Sequence, residues 1–182
     1  IGLVMIVIGM FFKIAAFPFH FWAPDVYEGS PALTTATMST LAKVVAVATL
    51  YKLVSSLNAN ANLTFNLVLV IISIASMTVG NIMALRQNNV KRMLAFSGIS
   101  HAGFMLMPLL NINHSAGSLL YYTTAYALAG MAAFAVIISV TQNKDNEDIL
   151  NFNGLGKTKP VLAFVLTAAL LSMAGIPVFA GF

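Results

Sequence analysis

The sequence contains no cysteine and very little charge: 8% of its 182 residues are Asp, Glu, Lys or Arg. The missing cysteines exclude a disulfide framework, a thiolate metal site and Cys-ligated clusters. The scarcity of charge excludes an ordinary soluble domain, which needs about a quarter of its residues charged. Also missing are a Gly-rich phosphate loop, an HExxH pair, a nucleophile elbow and any zinc-ligand spacing, so nothing in the chain points to a bound nucleotide or flavin. The net charge of +4 comes from scattered residues and is no footprint for nucleic acid. Apolar residues are abundant, at 59%, and the mean hydropathy is +0.90. This is the composition of a membrane protein. Residues 1–22 lack the charged leader and cleavage site of a signal peptide. The last residues, to Phe182, lie inside an apolar run. The chain therefore reads as an internal part of a longer protein.

A helix that spans a bilayer needs about 20 apolar residues. Six runs qualify, at roughly 2–22, 32–56, 64–85, 93–112, 117–141 and 160–182. They lack the alternation of barrel strands, and lipid then leaves helices as the way to satisfy the backbone. The expectation is one all-α, polytopic transmembrane bundle over residues 1–182. The links are short and rich in Asn, Gly and Pro, as turns require. The first, third and fifth links share one side of the membrane. They carry Arg86, Lys91, Arg92, Lys144, Lys157 and Lys159, whereas the second and fourth carry no Lys or Arg, although Lys52 lies near the second. Basic links stay in the cytoplasm, so the first helix is expected to run from outside to inside.

Three of the runs contain an internal proline: Pro18, Pro108 and Pro177. Each removes one helical hydrogen bond and frees the carbonyl four residues earlier, at Ile14, Phe104 and Met173. Pro18 and Pro177 interrupt helices of opposite direction. Paired broken helices of that kind mark the transport site of inverted-repeat transporters.

Lys13 and Lys43 fall near the middle of the first and second runs. A lysine at that depth costs about 2.5–3.5 kcal/mol on the lenient insertion scale, which makes a functional role the default reading. Snorkelling suits Lys52, near a run's end, better than these two. Burial disfavours an ammonium and a nearby carboxylate restores it. A lysine can therefore exchange a proton when its surroundings change, which arginine cannot do. Ser39 and Thr40 lie on the face of Lys43; they either hold water beside the amine or bond back to helix carbonyls. His101, with Ser97 one turn before it, is either a packing residue or a relay. His20, beside Trp22, reads as interfacial, and His114 as solvated. Asp25 and Glu28 either cap a helix or pair with Arg86, Lys91 and Arg92. Ser76 and Gly80 form a close-packing pair on the third run.

Three stretches carry a resemblance: FFKIAAFPFHFWAPDVYEGSPALTTATMSTLAKVV at 11–45, NIMALRQNNVKRMLAFSGISHAGFMLM at 81–107, and LSMAGIPVFAGF at 171–182. They resemble the antiporter-like, proton-conducting membrane subunits of respiratory complex I. PDVYEG, NNVKR and SGISHAG are most similar to the subunit N family, called subunit 2 in mitochondria. The resemblance implies an inverted-repeat fold with broken helices at Pro18 and Pro177. It implies a lateral proton relay through Lys13, Lys43 and His101. A glutamate before Ile1 and a lysine after Phe182 would belong to the same path.

It implies no cofactor in this chain, with NADH, FMN, iron–sulfur clusters and quinone held by other subunits. The implied partners are the other membrane subunits, the lipid bilayer, protons and water. The implied location is a bacterial inner membrane or the mitochondrial inner membrane. Two other readings stand beside it: a subunit of a sodium–proton antiporter, and a structural membrane subunit with no active path.

Overall fold

A computed structural model describes residues 2–57, 62–142, 146–177 and 179–181. Lys144, one of the basic link residues, and Asn58, at the start of the second link, lie outside the described residues, as do Ile1 and Phe182. The described chain is helical over most of its apolar runs. In order come α1 (Gly2–Ile14), α2 (Trp22–Gly29), α3 (Ala32–Thr37), α4 (Lys43–Ser56), α5 (Leu63–Ala84), α6 (Val90–Leu106), α7 (Ile112–Thr141), α8 (Leu155–Thr158) and α9 (Pro160–Met173). Among the described residues, four helical stretches are long and apolar enough to cross a membrane: Ala32–Ser56, Leu63–Ala84, Val90–Asn111 and His114–Thr141. The apolar helices at the two ends, Val4–Ile14 and Pro160–Met173, are shorter.

The short end helices have a common local cause. α1 ends at Ile14, and Ala15 takes a left-handed φ of 58°. Ala16 N–H then reaches back to Phe11 O at 2.9 Å and Ala15 N–H to Phe12 O at 3.0 Å. α9 ends the same way: Gly175 has φ 70°, Ile176 N–H bonds Leu171 O at 3.3 Å and Gly175 N–H bonds Ser172 O at 3.1 Å. This pair of bonds around one left-handed residue closes a helix and satisfies its last carbonyls. The prolines follow those closures. Pro18 and Pro177 therefore lie within breaks, as expected, but each break begins before the ring, at a left-handed residue and not at the freed carbonyl. Lys13 moves with it, from the middle of a run to the last turn of α1, where a cation complements the helix dipole.

At Pro108 the expected loss of the Phe104 bond is avoided. The helix tightens over Met107–Asn111, and Met107 N–H bonds Phe104 O. The second run holds a feature its sequence did not announce: between α3 and α4, Met38–Ala42 widens into one turn of π-helix. Such turns occur mostly as single bulges inside α-helices, frequently at functional sites.

α5 and α6 pack at very short range because small residues face each other. A Cβ added at Gly80 would lie 2.6 Å from Ser100 N and 2.8 Å from Phe96 O; one at Gly103 would lie 2.7 Å from Ser73 O. Ser73 Oγ donates to Gly103 O, and Ser76 Oγ accepts the backbone N–H of Phe17 at 2.9 Å. The last bond docks the segment after α1 onto α5. Asn62 and Asn89 cap α5 and α6, their Oδ1 atoms accepting from Thr64 N and Arg92 N at 2.9 and 3.1 Å.

Three links meet at one end of the bundle. Val90 N–H bonds Glu147 O and Ile149 N–H bonds Asn88 O, at 2.9 and 2.8 Å. Lys91 is buried, with its Nζ 2.8 Å from a Glu147 carboxylate oxygen and donating to Ser30 O at 2.8 Å. Arg92 pairs with Asp25 at 2.8 Å and Glu28 at 2.6 Å, and its own side chain is one-third exposed. Arg86 makes no ion pair among the described residues. Glu147 is the partner that sequence reasoning missed.

The two clusters differ in burial, so they differ in worth. Removing the buried lysine strands a largely buried carboxylate, whereas the Arg92 pairs are screened by water. Lys91→Ala is expected to cost about 3 kcal/mol of stability, and Arg92→Ala about 1 kcal/mol or less. Thermal unfolding of the purified full-length variants checks this. The Arg92 effect should fade in high salt while the Lys91 effect persists.

Candidate functional site

Lys43 is the first residue of α4, directly after the π-turn, and is 2% exposed. Its Nζ donates to Gly98 O on α6 at 2.7 Å. That approach requires glycine. A Cβ at position 98 would lie 2.8 Å from the Lys43 Nζ and 3.0 Å from the Tyr126 hydroxyl. Lys43 makes no ion pair among the described residues. It has instead a carbonyl dipole and the face of Tyr126, whose ring centroid lies 6.0 Å from Nζ, at the outer limit of a cation–π contact.

The hydroxyls on its own run serve the helix. Ser39 Oγ and Thr40 Oγ1 both donate back to Ala36 O, at 3.1 and 2.6 Å. Of the two expectations for these residues, bonding back to the helix is the one observed. Within the π-turn, Ser39 O accepts the Tyr126 hydroxyl at 3.1 Å, and the Lys43 backbone N–H bonds Thr40 O.

His101 lies one turn beyond Gly98 on α6 and is 8% exposed. Its Nδ1 is 2.7 Å from the Tyr122 hydroxyl, and its ring centroid is 4.9 Å from that of Tyr126. With Tyr122 donating, the imidazole proton sits on Nε2. Tyr122 and Tyr126 are four residues apart on α7, which puts them on one face. A small cavity of about 10 Å³, about the least that holds one water, is lined by His101, Tyr122, Tyr126, Ser172, Met173 and Gly181. It links the histidine to the end of α9.

The structure thus brings Lys43 and His101 into one buried cluster with Gly98, Tyr122 and Tyr126. It does not bring Lys13 there. Lys13 is exposed on α1 and its side chain makes no hydrogen bond or ion pair among the described residues. Ser97, expected beside His101, is half-buried and takes no part in holding Lys43. His20 is buried and stacked on Phe21 at 4.4 Å; His114 is exposed. The two tyrosines carried one readable signal, their helical spacing in YYTTAY.

A buried lysine held on a carbonyl, beside a histidine and close to a water-sized cavity, is a set of groups that can hold and release protons without a metal ligand set. The family model described as NADH:quinone oxidoreductase/Mrp antiporter, TM, matches residues 1–182. The chain belongs to that family.

Relatives sharpen the placement within the family. The NADH-quinone oxidoreductase subunit N of Flavobacterium johnsoniae is 72% identical, across 100% of this chain and 41% of the relative. A chain in the structure of respiratory complex I from Thermus thermophilus with bound aureothin superposes with a TM-score of 0.85. It is 37% identical, over 99% of this chain and 39% of that one. A chain of the Mrp complex from a Dietzia species has a TM-score of 0.88 at 22% identity, over 96% of this chain and 33% of that one, a likeness of fold. The antiporter-family chain described here therefore spans about two fifths of the subunit N relative, which is 41% covered. Its all-helical membrane architecture is that of the complex I and Mrp antiporter-like subunits.

Proposed function

We propose that this chain forms part of a proton-translocating membrane-arm subunit of an NADH:quinone oxidoreductase. Lys43 and His101 would relay protons, with Lys13 at the end of α1 supplying the entry-side charge. Electron transfer from NADH to quinone, with its FMN and iron–sulfur clusters, would occur in other subunits. The observation that carries the reading is the seat of Lys43: a buried amine on the Gly98 carbonyl at 2.7 Å. Exposure of Lys13 fits a partner carboxylate on a part of the protein outside this chain.

The whole protein decides between respiratory and antiporter roles. Tagged full-length protein, purified from native membranes, is expected to carry NADH-dehydrogenase subunits with it. Vesicles from the same cells should acidify on addition of NADH without sodium. Isolation free of such subunits, with sodium-dependent exchange that ignores NADH, would contradict the proposal.

A further inference from the structure

Tyr126 is 7% exposed and lies beside both members of the relay. Nζ of Lys43 lies 6.0 Å from its ring centroid, and the ring of His101 is 4.9 Å away. Its hydroxyl is tied to Ser39 O at 3.1 Å, on the Lys43 side. The cavity beside it is lined by His101 and by Tyr126 itself, and Lys43 is not on its wall. The cavity therefore reaches the histidine and the tyrosine and does not reach the lysine.

We infer that Tyr126 is a positioning residue that walls Lys43 off from the His101 cavity, so that a proton passes between them only when the ring moves. It forms and breaks no bond to the transferred proton. Its work is to exclude water, because a standing chain of water between two proton-exchanging groups would let protons run back. The ring supplies the wall. Packing against the His101 ring holds it in place, and the hydroxyl bond to Ser39 O at 3.1 Å adds to that hold.

The inference rests on the relay reading of Lys43 and His101, and the test separates the two. The intact complex is reconstituted in liposomes as wild type, Tyr126→Ala, Tyr126→Leu, Tyr126→Phe and Lys43→Ala, after native electrophoresis has confirmed assembly. NADH-driven acidification, turnover, and passive proton leak under an imposed gradient are then recorded. Tyr126→Ala is expected to keep NADH turnover, to lose most of the acidification and to leak protons. Tyr126→Leu, which refills part of the space, should leak less and provides the reading if the alanine variant fails to assemble. Tyr126→Phe keeps the ring and should pump near the wild-type ratio. A tight membrane and a normal ratio in both Ala and Leu variants would overturn the wall. A Tyr126→Phe complex as inactive in pumping as Lys43→Ala would overturn it too, because the hydroxyl would then be a member of the relay. Normal pumping by Lys43→Ala would instead sink the relay reading itself.

Discussion

Gly98→Ala is expected to cut proton translocation by roughly tenfold while removing no ionisable side chain. The added methyl would sit 2.8 Å from the Lys43 Nζ and 3.0 Å from the Tyr126 hydroxyl. Both groups are at the ends of side chains, so they shift and the fold stays. What is lost is the bond from Nζ to Gly98 O at 2.7 Å. A hydrogen bond to a charged group is worth about 1.5–3 kcal/mol, and about 1.4 kcal/mol corresponds to a factor of ten in rate. The readout is the proton-to-NADH ratio of the assembled complex in liposomes. Gly117→Ala is the matched control, because a Cβ there meets nothing within 4 Å. Equal ratios for the two variants would mean that the Gly98 carbonyl is no functional seat for Lys43.

Much of this arrangement could be read before any coordinates, and the rest was hidden for identifiable reasons. Apolar runs and scarce charge pointed to a helical membrane bundle. Lys43 stood out because a lysine in mid-membrane costs free energy wherever it points. Ser76 and Gly80 declared a close helix contact by size alone. The end of α1 was not legible. Ala15, a residue of high helix propensity, takes the left-handed conformation that closes the helix. Pro18 gave the neighbourhood of the break but misplaced its start, and with it the place of Lys13 along its helix. At the other end Gly175 was the better sign, since glycine takes a positive φ without steric cost.

The π-turn at Met38–Ala42 has no signature in the residues MSTLA. Its sense emerges only when Tyr126, 87 positions later, bonds the Ser39 carbonyl within it. Gly98 was similarly opaque. Its role is set by a lysine 55 residues away in sequence. Tyr122 and Tyr126 were easy to pass over because α7 runs for 30 residues with apolar side chains on every face. Long-range partners of this kind are what composition and periodicity do not carry. Local rules located the expensive residue, and tertiary packing chose what it touches.

The second large effect concerns Lys43 itself. Lys43→Ala removes the buried amine, empties the space beside Gly98 and leaves His101 and Tyr122 bonded as before, at 2.7 Å. Loss of a positioned proton-exchanging group typically costs about a hundredfold or more in proton-transfer rate, so pumping should fall to the background of the liposomes. On the proposed reading electron transfer lies in other subunits, so it should slow only as far as it is coupled to the pumped protons. Lys43→Arg keeps the charge but cannot release its proton, so it should fail like the alanine variant. A purely structural role for the charge would let it succeed.

The most direct measurement is the number of protons delivered per NADH oxidised by the reconstituted complex, wild type against Lys43→Ala and Lys43→Arg. The account predicts a clear deficit, of the same size in both variants, in complexes shown to be fully assembled. An unchanged ratio in either variant would contradict it.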